Sequence, residues 1–308
     1  MSSPTRLPIS TQHVAQQFSR RADLSAAQFL YGEVARRMNE RLRLVRLQPE
    51  IMLDAGCGAA HQFAMLRARY PEARYIGQDH NPALLAHARK TVQPQLPPAW
   101  RQWLEKKRGV APTMQWIESD LSQTGLAPES LELVWSNLAL HWHPAPHDVL
   151  QEWGRVLKLN GLVFFSCFGP ATMQELRAAL LWAGLRTATP SFVDMHDFGD
   201  LLIEKGFADP VMDQEVLTLT YQTPEKLLGD VYALGGNPAL GRRAGLVGRT
   251  WRTHLLAALE AQRHADGTIH LTIEVAYGHA WKTGTLRAQP GETRISVSAI
   301  QRKPAGAP

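Results

Sequence analysis

Ile51-Met52-Leu53-Asp54-Ala55-Gly56-Cys57-Gly58-Ala59-Ala60 is an apolar run that ends in an acid and then breaks into small residues. The run is typical of a buried strand, and the Phe63-Ala64-Met65-Leu66 pattern that follows it predicts a helix. Gly56 and Gly58 allow a tight turn in which the backbone approaches a ligand, with the helix N-terminus facing that ligand. A strand, turn and helix of this kind form the place where doubly wound sheets bind nucleotides.

The spacing of small residues narrows the class of ligand. A dinucleotide fingerprint needs a third glycine three positions after Gly58, where His61 stands, so a nicotinamide or flavin enzyme is disfavoured. The next short strand, predicted over 74–79, ends in Asp79, whose carboxylate can accept both hydrogen bonds of a ribose diol. Together these features predict an adenosine-containing cofactor. A glycine turn without a ligand and a simple strand-end cap are the alternative interpretations.

Composition and charge exclude several classes of protein. The chain has 308 residues, of which 44% are hydrophobic, so it can form a large core. With 33 Lys and Arg against 28 Asp and Glu it is mildly basic, which allows an acidic partner but does not indicate nucleic acid. Two cysteines, Cys57 and Cys167, indicate neither a disulfide framework nor a metal site. The first residues lack a signal-peptide pattern and no apolar run reaches the ~20 residues of a membrane span, so we expect a soluble, cytoplasmic protein.

The remaining periodicity predicts the rest of a sheet. We expect an α/β fold, a doubly wound, Rossmann-like, mostly parallel sheet of seven strands in which the last two strands are antiparallel. A turn is predicted at 158–161, before the fifth strand. The strands predicted after the second are 114–121, 131–142 including its loop, 162–167, 211–221 and 270–281.

Three segments lie outside the predicted sheet. Residues 1–45 carry the spacing of amphipathic helices and are predicted to cap the cofactor pocket. The main domain is predicted to span 46–282, and residues 283–308 are predicted to form a tail. Within the main domain, 91–113 is proline-rich and then basic and aromatic where a sheet needs only a short connection, which predicts an insertion. The insertion either recruits an acidic protein or packs its tryptophans beneath a solvated basic face.

The glycine turn resembles the acid-x-Gly-x-Gly-x-Gly motif of class I S-adenosylmethionine-dependent methyltransferases, through Asp54, Gly56 and Gly58, with Ala60 in place of the last glycine. After the predicted fourth strand, the sequence Ser136-Asn137-Leu138-Ala139 differs from the Asp/Asn-Pro-Pro-aromatic motif of amide and adenine methylation. Methylation of nucleic-acid bases is therefore disfavoured.

Further motifs resemble one family in particular, the malonyl-acyl-carrier-protein O-methyltransferases of biotin synthesis. The resemblance covers most of 14–282. It departs from the family at the insertion and at 23–26, where the family's tyrosine has no aromatic counterpart. The motifs are Ser136-Asn137-Leu138-Ala139-Leu140-His141-Trp142, Arg155-Val156-Leu157-Lys158, Phe168-Gly169-Pro170, Glu175-Leu176-Arg177, Asp194-Met195-His196-Asp197-Phe198-Gly199-Asp200, Gly206-Phe207-Ala208-Asp209-Pro210 and Tyr277-Gly278-His279-Ala280-Trp281.

The resemblance implies S-adenosyl-L-methionine as the cofactor and an acidic acyl carrier protein, carrying a malonyl thioester, as the partner. A malonyl carboxylate oxygen would attack the sulfonium methyl group directly. That carboxylate is ionised near pH 7, so no general base is required and no catalytic residue is assigned. We expect no metal site.

Site residues follow from the strand ends and from the resemblance. Asp120 is expected to accept the amino proton of adenine, and Arg20 to face the cofactor carboxylate. Arg177 is expected to hold the malonyl carboxylate, or to pair with an acid on its helix surface. The expected cofactor-binding residues are Arg20, Asp54, Ala55, Gly56, Cys57, Gly58, Asp79, His80, Asp120, Leu121 and Asn137. The expected substrate-binding residues are His141, Trp142 and Arg177, and the carrier is expected to dock on Arg242, Arg243 and Arg249.

Two other functions stay open at this point. The C-terminal motifs also resemble mitochondrial complex I assembly relatives, which are linked to arginine hydroxylation and imply a protein-modifying or assembly role. A protein that binds adenosylmethionine without catalysis is the third possibility. The sequence does not choose between a carrier protein and coenzyme A, and it does not indicate an oligomeric state.

Overall fold

The computed structural model describes residues 6–21, 23–92, 114–243, 245 and 247–284. The expected insertion at 91–113 lies outside the described residues from position 93 onward, and the expected tail from position 285 onward. Within the described ranges, no helix is long and apolar enough to cross a membrane.

A seven-stranded sheet lies at the centre of the chain, in the order β3-β2-β1-β4-β5-β7-β6. The strands from β3 to β5 are parallel, and β7 runs antiparallel to both β5 and β6. The predicted fold is confirmed. Because the strand order reverses between β1 and β4, a crevice forms at the carboxyl ends of these two strands. The strands are β1 Ile51–Ala55, β2 Arg74–Asp79, β3 Met114–Glu118, β4 Leu131–Ser136, β5 Leu157–Phe168, β6 Phe207–Tyr221 and β7 Ile269–Lys282.

Helices cover both faces of this sheet. On β4, Leu133 and Trp135 belong to one buried cluster and Val134 to the other, because successive side chains of a strand point to opposite faces. Residues of α5 and α7 pack in one cluster, and residues of α2, α3 and α4 in the other. The helices are α1 Thr11–Ser19, α2 Gln28–Leu42, α3 Phe63–Arg69, α4 Pro82–Val92, α5 Pro146–Val156, α6 Gln174–Trp182, α7 Met195–Glu204, α8 Pro224–Ala233 and α9 Arg249–Glu260.

The N-terminal helices are part of the core. On α2, Leu30, Val34, Met38 and Leu42 recur every fourth residue and are at most 1% exposed, in the cluster that also contains Leu133 of β4. The polar side of the helix is also attached, because Arg37 pairs with Glu215 and Arg41 with Asp213, both on β6. The predicted helices are therefore confirmed, and they are fixed to the sheet by apolar contacts and by ion pairs.

The turn predicted at 158–161 is wrong, because these residues lie inside β5. Leu131 pairs with Leu157 and Leu133 pairs with Leu162, so residues 158–161 form a bulge between two paired positions. Asn160 accommodates the bulge with a φ of 62°, a conformation that asparagine tolerates better than most residues. The polar signals in this segment therefore mark a bulge and not the end of a strand.

Candidate functional site

The turn between β1 and α3 has the conformation that its small residues predict. Gly56 has a φ of 72°, and a Cβ there would lie 2.4 Å from the Cβ of Ala139. The Gly56 and Cys57 N–H groups both donate to the Gln78 carbonyl, at 2.8 and 2.9 Å, which joins the turn to β2. Ala60, in the place of the motif's last glycine, also has a positive φ of 57°. The turn therefore keeps the backbone of the motif although one glycine is missing.

Asp79, the last residue of β2, binds the main chain on both sides. Its Oδ2 accepts from the Gly58 N–H at 3.0 Å and its Oδ1 from the Asn81 N–H at 2.9 Å, and the residue is 6% exposed. Burial raises the pKa of the carboxyl group, while the neighbouring His80 and the N–H donors oppose the rise. Since a carboxylate has about four acceptor positions, these contacts leave Asp79 able to accept from a ligand as well.

Asp54 lies beneath the turn and does not line the cavity described below. It is 2% exposed, and its Oδ2 accepts from the Tyr75 hydroxyl at 2.6 Å. Burial raises the pKa of this carboxyl group to about 7, and the nearby Asp79 adds to the rise. Asp54 therefore supports the turn from below.

Asp120 follows β3, with a side chain that is 46% exposed. Its Oδ1 accepts from the Ser122 N–H at 2.8 Å, from the Ser122 hydroxyl at 2.6 Å and from His143 Nε2 at 3.0 Å. The bond from His143 is the main reason that the pKa of Asp120 is held well below its usual range. All three bonds end on Oδ1, which leaves Oδ2 to accept from a ligand.

A cavity of about 850 Å³ lies over the glycine turn, between the ends of β2, β3 and β4 and the N-terminal helices. It contains nine of the sequence-predicted site residues, namely Gly56, Cys57, Gly58, Asp79, His80, Asp120, Leu121, Asn137 and Trp142. Arg20, Asp54, Ala55 and His141 do not line it. The sequence also did not predict several lining residues, among them Phe18, Leu24, Gln28, Tyr31, Ala59, His61, Gln62, Leu84 and His143.

The missed residues are of two kinds. Phe18, Leu24, Gln28 and Tyr31 come from the N-terminal helices, and no local pattern shows which of their side chains faces the cavity. Ala59, His61 and Gln62, in contrast, directly follow the glycine turn, so their place in the sequence was an available signal. We conclude that the cap supplies one wall of the site.

The loop after β4 connects this cavity to the core. The Asn137 Nδ2 donates to the Tyr31 carbonyl at 3.0 Å, and its Oδ1 accepts from the Ser166 hydroxyl at 3.0 Å. His141 is buried against the Phe168 and Trp142 rings, at centroid distances of 4.4 and 4.6 Å. Burial lowers the pKa of His141 to about 3, so its ring is neutral at pH 7.

The tautomer of His141 follows from its contacts. Nδ1 accepts from the Phe168 N–H at 3.3 Å, so the neutral ring carries its proton on Nε2. Within the part of the chain that the structure describes, this buried Nε2 has no hydrogen-bond partner. His141 therefore carries no positive charge and supports Trp142 from behind.

A second cavity, of about 1790 Å³, lies on the other side of α1. Gln17 lines this cavity and the adjacent Phe18 lines the first, so the helix separates them. Phe18 also packs edge-on against Trp142, with ring centroids 5.6 Å apart. The second cavity is largely apolar and bears several cations. Its lining includes Met173, Leu176, Leu180, Phe192, Leu228, Trp251, Leu255, Arg177, Arg242, Arg243 and Arg252.

Arg177 lies in the wall of this second cavity and does not line the first. Its Nη2 donates to the Pro170 carbonyl at 2.7 Å and its Nη1 to the Thr172 carbonyl. Pairing with a surface acid, the alternative interpretation, is not observed in the described ranges, where Arg177 has no carboxylate within 4.0 Å. The guanidinium is therefore held by main-chain carbonyls. Among the same described residues, no group of three or more His, Cys, Asp or Glu side chains could hold a metal ion.

Comparisons with known proteins agree with this geometry. Residues 53–165 match the family described as a methyltransferase domain. The chain is 41% identical over 262 residues to the malonyl-acyl-carrier-protein O-methyltransferase of Laribacter hongkongensis, covering 85% of each protein. It is 38% identical over 292 residues to the enzyme of the same name from Gallionella capsiferriformans, covering 94% of this chain and 97% of the relative.

A solved structure shares the fold at low identity. It is the Haemonchus contortus phosphoethanolamine N-methyltransferase 2 in complex with phosphomonomethylethanolamine and S-adenosylhomocysteine. The TM-score is 0.55 at 12% identity, over 90% of this chain and 61% of that one.

Replacing Asp54 with Asn should stabilise the protein increasingly as the pH rises. The folded-state pKa of about 7 lies above the ordinary value of 3.8, so the stability that the buried acid contributes is present below about pH 4 and lost as the pH rises through 7. Asparagine avoids that loss and its oxygen can still accept from Tyr75. In urea unfolding, the difference between Asp54→Asn and the parent should therefore grow between about pH 4 and pH 8, by up to ~4 kcal/mol. Asp200→Asn, at an exposed position on α7, is the control; a difference for Asp54→Asn that does not change with pH would contradict the assignment.

Proposed function

The chain belongs to the malonyl-acyl-carrier-protein O-methyltransferase family, and on that premise we propose that it methylates the free carboxylate of a malonyl thioester borne by an acyl carrier protein. It is an S-adenosyl-L-methionine-dependent methyltransferase, and it acts in biotin synthesis. The observation that best supports the proposal is the pair of adjoining cavities, one with the polar groups that an adenosine requires and the other apolar with a cationic wall. The proposed compartment is the cytoplasm, where the two buried free cysteines stay reduced.

The first cavity fits S-adenosyl-L-methionine. Asp79 can still accept from a ribose hydroxyl, and Asp120 keeps Oδ2 for the adenine amino group. Gly56 is required because a Cβ would collide with Ala139, so the glycine lets the loop after β4 pack against the turn, and both residues line the cavity. When bound, this cofactor supplies a methyl group on a positively charged sulfur. In the proposed cofactor-binding set, Asp54 and Ala55 support the turn from β1, outside the cavity, and Arg20 stays only through its place directly after α1.

The second cavity suits the acyl-thioester arm of the substrate. Its apolar wall accepts a flexible chain, and pockets of this type bind through apolar contact and orient the ligand with a few polar groups. We keep Arg177 in the proposed substrate-binding set through its place in that wall. Trp142 belongs to the set because it stands between the cavities, and His141 because it packs directly behind Trp142.

The chain's residues act by alignment and by exclusion of water. A malonyl carboxylate is ionised at neutral pH, so no side chain has to remove a proton, and the neutral His141 is not required as a base. Phe18 and Trp142 line the boundary at which the two cavities meet, and their rings shield the reacting atoms there from water. Correct alignment of two reactants contributes up to ~7–11 kcal/mol to lowering a barrier. This is sufficient for a direct displacement that forms a neutral ester.

The carrier protein is proposed to dock beside the second cavity. Arg243, Arg249 and Arg252 are exposed there, and Arg242 is partly buried with its Nη2 3.1 Å from His13 Nδ1. Burial and the adjacent Arg242 lower the pKa of His13. An acidic carrier complements this cationic surface and is guided to it by long-range attraction. Arg242 and Arg243 also line the cavity, so a carrier bound there can pass its thioester arm inward.

One assay tests the proposed function. The purified protein is incubated with methyl-labelled S-adenosylmethionine and malonyl-carrier protein, and the carrier is examined for a base-labile methyl ester. We expect the label on malonyl-carrier protein and none on acetyl-carrier protein, which has no free carboxylate. Methyl label on a protein side chain, and not on the malonyl carboxylate, would favour a protein-modifying enzyme. Cofactor binding without any methyl transfer would favour a scaffold. Either result would contradict the proposal.

Asp79→Ala should weaken cofactor binding most among the residues of the first cavity. The variant loses the acceptor of the ribose hydroxyls and the partner of the Gly58 N–H. A charge-assisted hydrogen bond contributes ~1.5–3 kcal/mol, so the Kd for S-adenosylhomocysteine in calorimetry should rise at least ~10-fold. Glu72→Ala, an exposed acid just before β2, is the matched control and should bind normally. A folded Asp79→Ala protein with the parent's affinity would refute the ribose assignment.

Removing exposed cations should slow methylation of the carrier-bound substrate selectively. For Arg243→Gln/Arg249→Gln we expect the KM for malonyl-carrier protein to rise several-fold at low salt, with little change for malonyl-pantetheine. The difference should shrink at high salt, because exposed charges are screened within ~10 Å at 0.1 M ionic strength. Arg43→Gln/Arg46→Gln removes two exposed cations just after α2 and serves as the control. An equal change for both substrates would be evidence against this docking surface.

A further inference from the structure

Arg21, just after α1, is held in an unusual environment for a cation. Its Nη2 donates to the Gln17 Oε1 at 2.9 Å and its Nη1 donates to the Gln17 carbonyl. The guanidinium carbon lies 3.7 Å from the centre of the Tyr232 ring, so the group is stacked on an aromatic face. The residue is only partly accessible to solvent.

In the part of the chain that the structure describes, no acid neutralises this cation. Among the described residues, no Asp or Glu oxygen lies within 4.0 Å of Arg21, and its buried Nε–H has no acceptor. Burial lowers the pKa of the guanidinium, and the positive charge of the adjacent Arg20 lowers it further. Arg37 and Arg41, by comparison, each pair with a carboxylate on β6. A desolvated charge without a counter-ion is costly, and such groups are concentrated at functional sites.

The position of Arg21 indicates which cavity it serves. Gln17, Tyr232 and Gly236 surround the guanidinium, and all three line the second cavity and none the first. Arg21 itself lies directly behind these three residues and lines neither cavity. A Cβ at Gly236 would lie 3.4 Å from the Arg21 Nη2, so the glycine leaves this side of the group uncrowded.

The neighbouring residue locates the boundary between the two cavities. A Cβ at Gly235 would lie 2.5 Å from the ring of Trp142, which lines the first cavity. One short turn thus contacts both Trp142 and Arg21. Arg21 therefore lies where the second cavity meets the wall of the first.

We propose that Arg21 binds the free carboxylate of the malonyl group and so selects the acid over its ester; this inference rests on the proposed function. The Nε–H and an adjacent Nη–H form an edge that can grip a carboxylate through two parallel hydrogen bonds. Because the Nε–H is buried, this edge meets the substrate only when the Gln17 side chain, which separates Arg21 from the second cavity, turns away and releases an Nη–H. Arg177 is the weaker candidate, because both of its Nη groups donate to main-chain carbonyls.

The same contact explains how the product leaves. In the reaction a carboxylate oxygen forms a bond to the methyl carbon, the bond from that carbon to sulfur breaks, and its electron pair stays on the sulfur. The negative charge of the malonyl group disappears in this step. Arg21 thus loses its ionic partner when the ester forms, so the ester binds more weakly than the acid. The enzyme is thereby protected from inhibition by its own product.

The test measures binding without turnover. Calorimetry with saturating S-adenosylhomocysteine determines the Kd of malonyl-pantetheine and of its methyl ester for the parent, Arg21→Gln and Arg43→Gln. We expect the parent to prefer the acid by ~10-fold or more, and Arg21→Gln to lose most of that preference with ester binding unchanged. Arg43→Gln, which removes an exposed cation after α2, should keep the parent's preference. If Arg21→Gln does not fold, Arg21→Lys replaces it: a preference reduced ~5-fold supports the contact and an unchanged preference overturns it.

Three results would overturn the inference. If the parent protein binds the acid and its methyl ester equally well, the inference has no basis. The methyl-transfer assay then shows separately whether the proposed function still stands. If Arg21→Gln keeps the parent's preference for the acid, the role assigned to Arg21 is wrong, and the proposed function is unaffected. Weakened S-adenosylhomocysteine binding with an unchanged acid preference would assign the cation to the cofactor's carboxylate instead.

Discussion

Two main-chain N–H groups converge on the carboxylate of Asp79, and the rest of the site depends on this contact. One comes from the glycine turn after β1 and the other from the residue that precedes α4, so a single side chain fixes the ends of two neighbouring strands. The Gln78 carbonyl strengthens the junction by accepting from Gly56 and Cys57. Because the strand order reverses beside β1, the fixed ends border an open crevice.

The N-terminal helices complete the site from the opposite side. Their apolar residues share a core with the sheet, and Tyr31 of α2 accepts a hydrogen bond from Asn137 through its carbonyl. One consequence is that α1 separates the cofactor cavity from the second, apolar cavity. In the proposed reaction the reacting groups meet at this boundary, which Phe18 and Trp142 line with their rings in contact. A reaction that needs alignment more than acid–base chemistry is well served by such a wall.

The two cavities differ in the charge of the side chains that line them. The acids of the first cavity, Asp79 and Asp120, can accept hydrogen bonds from the hydroxyl and amino groups of the cofactor proposed to bind there. The second cavity has cations in its wall and at its margin, among them Arg177, Arg242 and Arg243, which suits an anionic substrate on an acidic carrier. Arg21 lies where these two regions meet, and it is stacked on Tyr232 instead of being paired with an acid. Complementary potentials of this kind select a partner more than they increase affinity.

The sequence by itself determined the sheet, the glycine turn and the acids at the ends of β2 and β3. These features are local: a strand, its turn and its next acid lie within a few residues, and the topology of a doubly wound sheet brings strand ends together. Only the tertiary structure decided which side chains of the N-terminal helices face the cavity, that 158–161 form a bulge, and that Asp54 lies under the turn. The tertiary structure also gave two adjacent arginines different environments, because Arg20 is exposed and Arg21 is stacked on Tyr232. The partners of Arg21, at positions 17, 232 and 236, come from opposite ends of the chain, and no local pattern encodes a contact that packing alone creates.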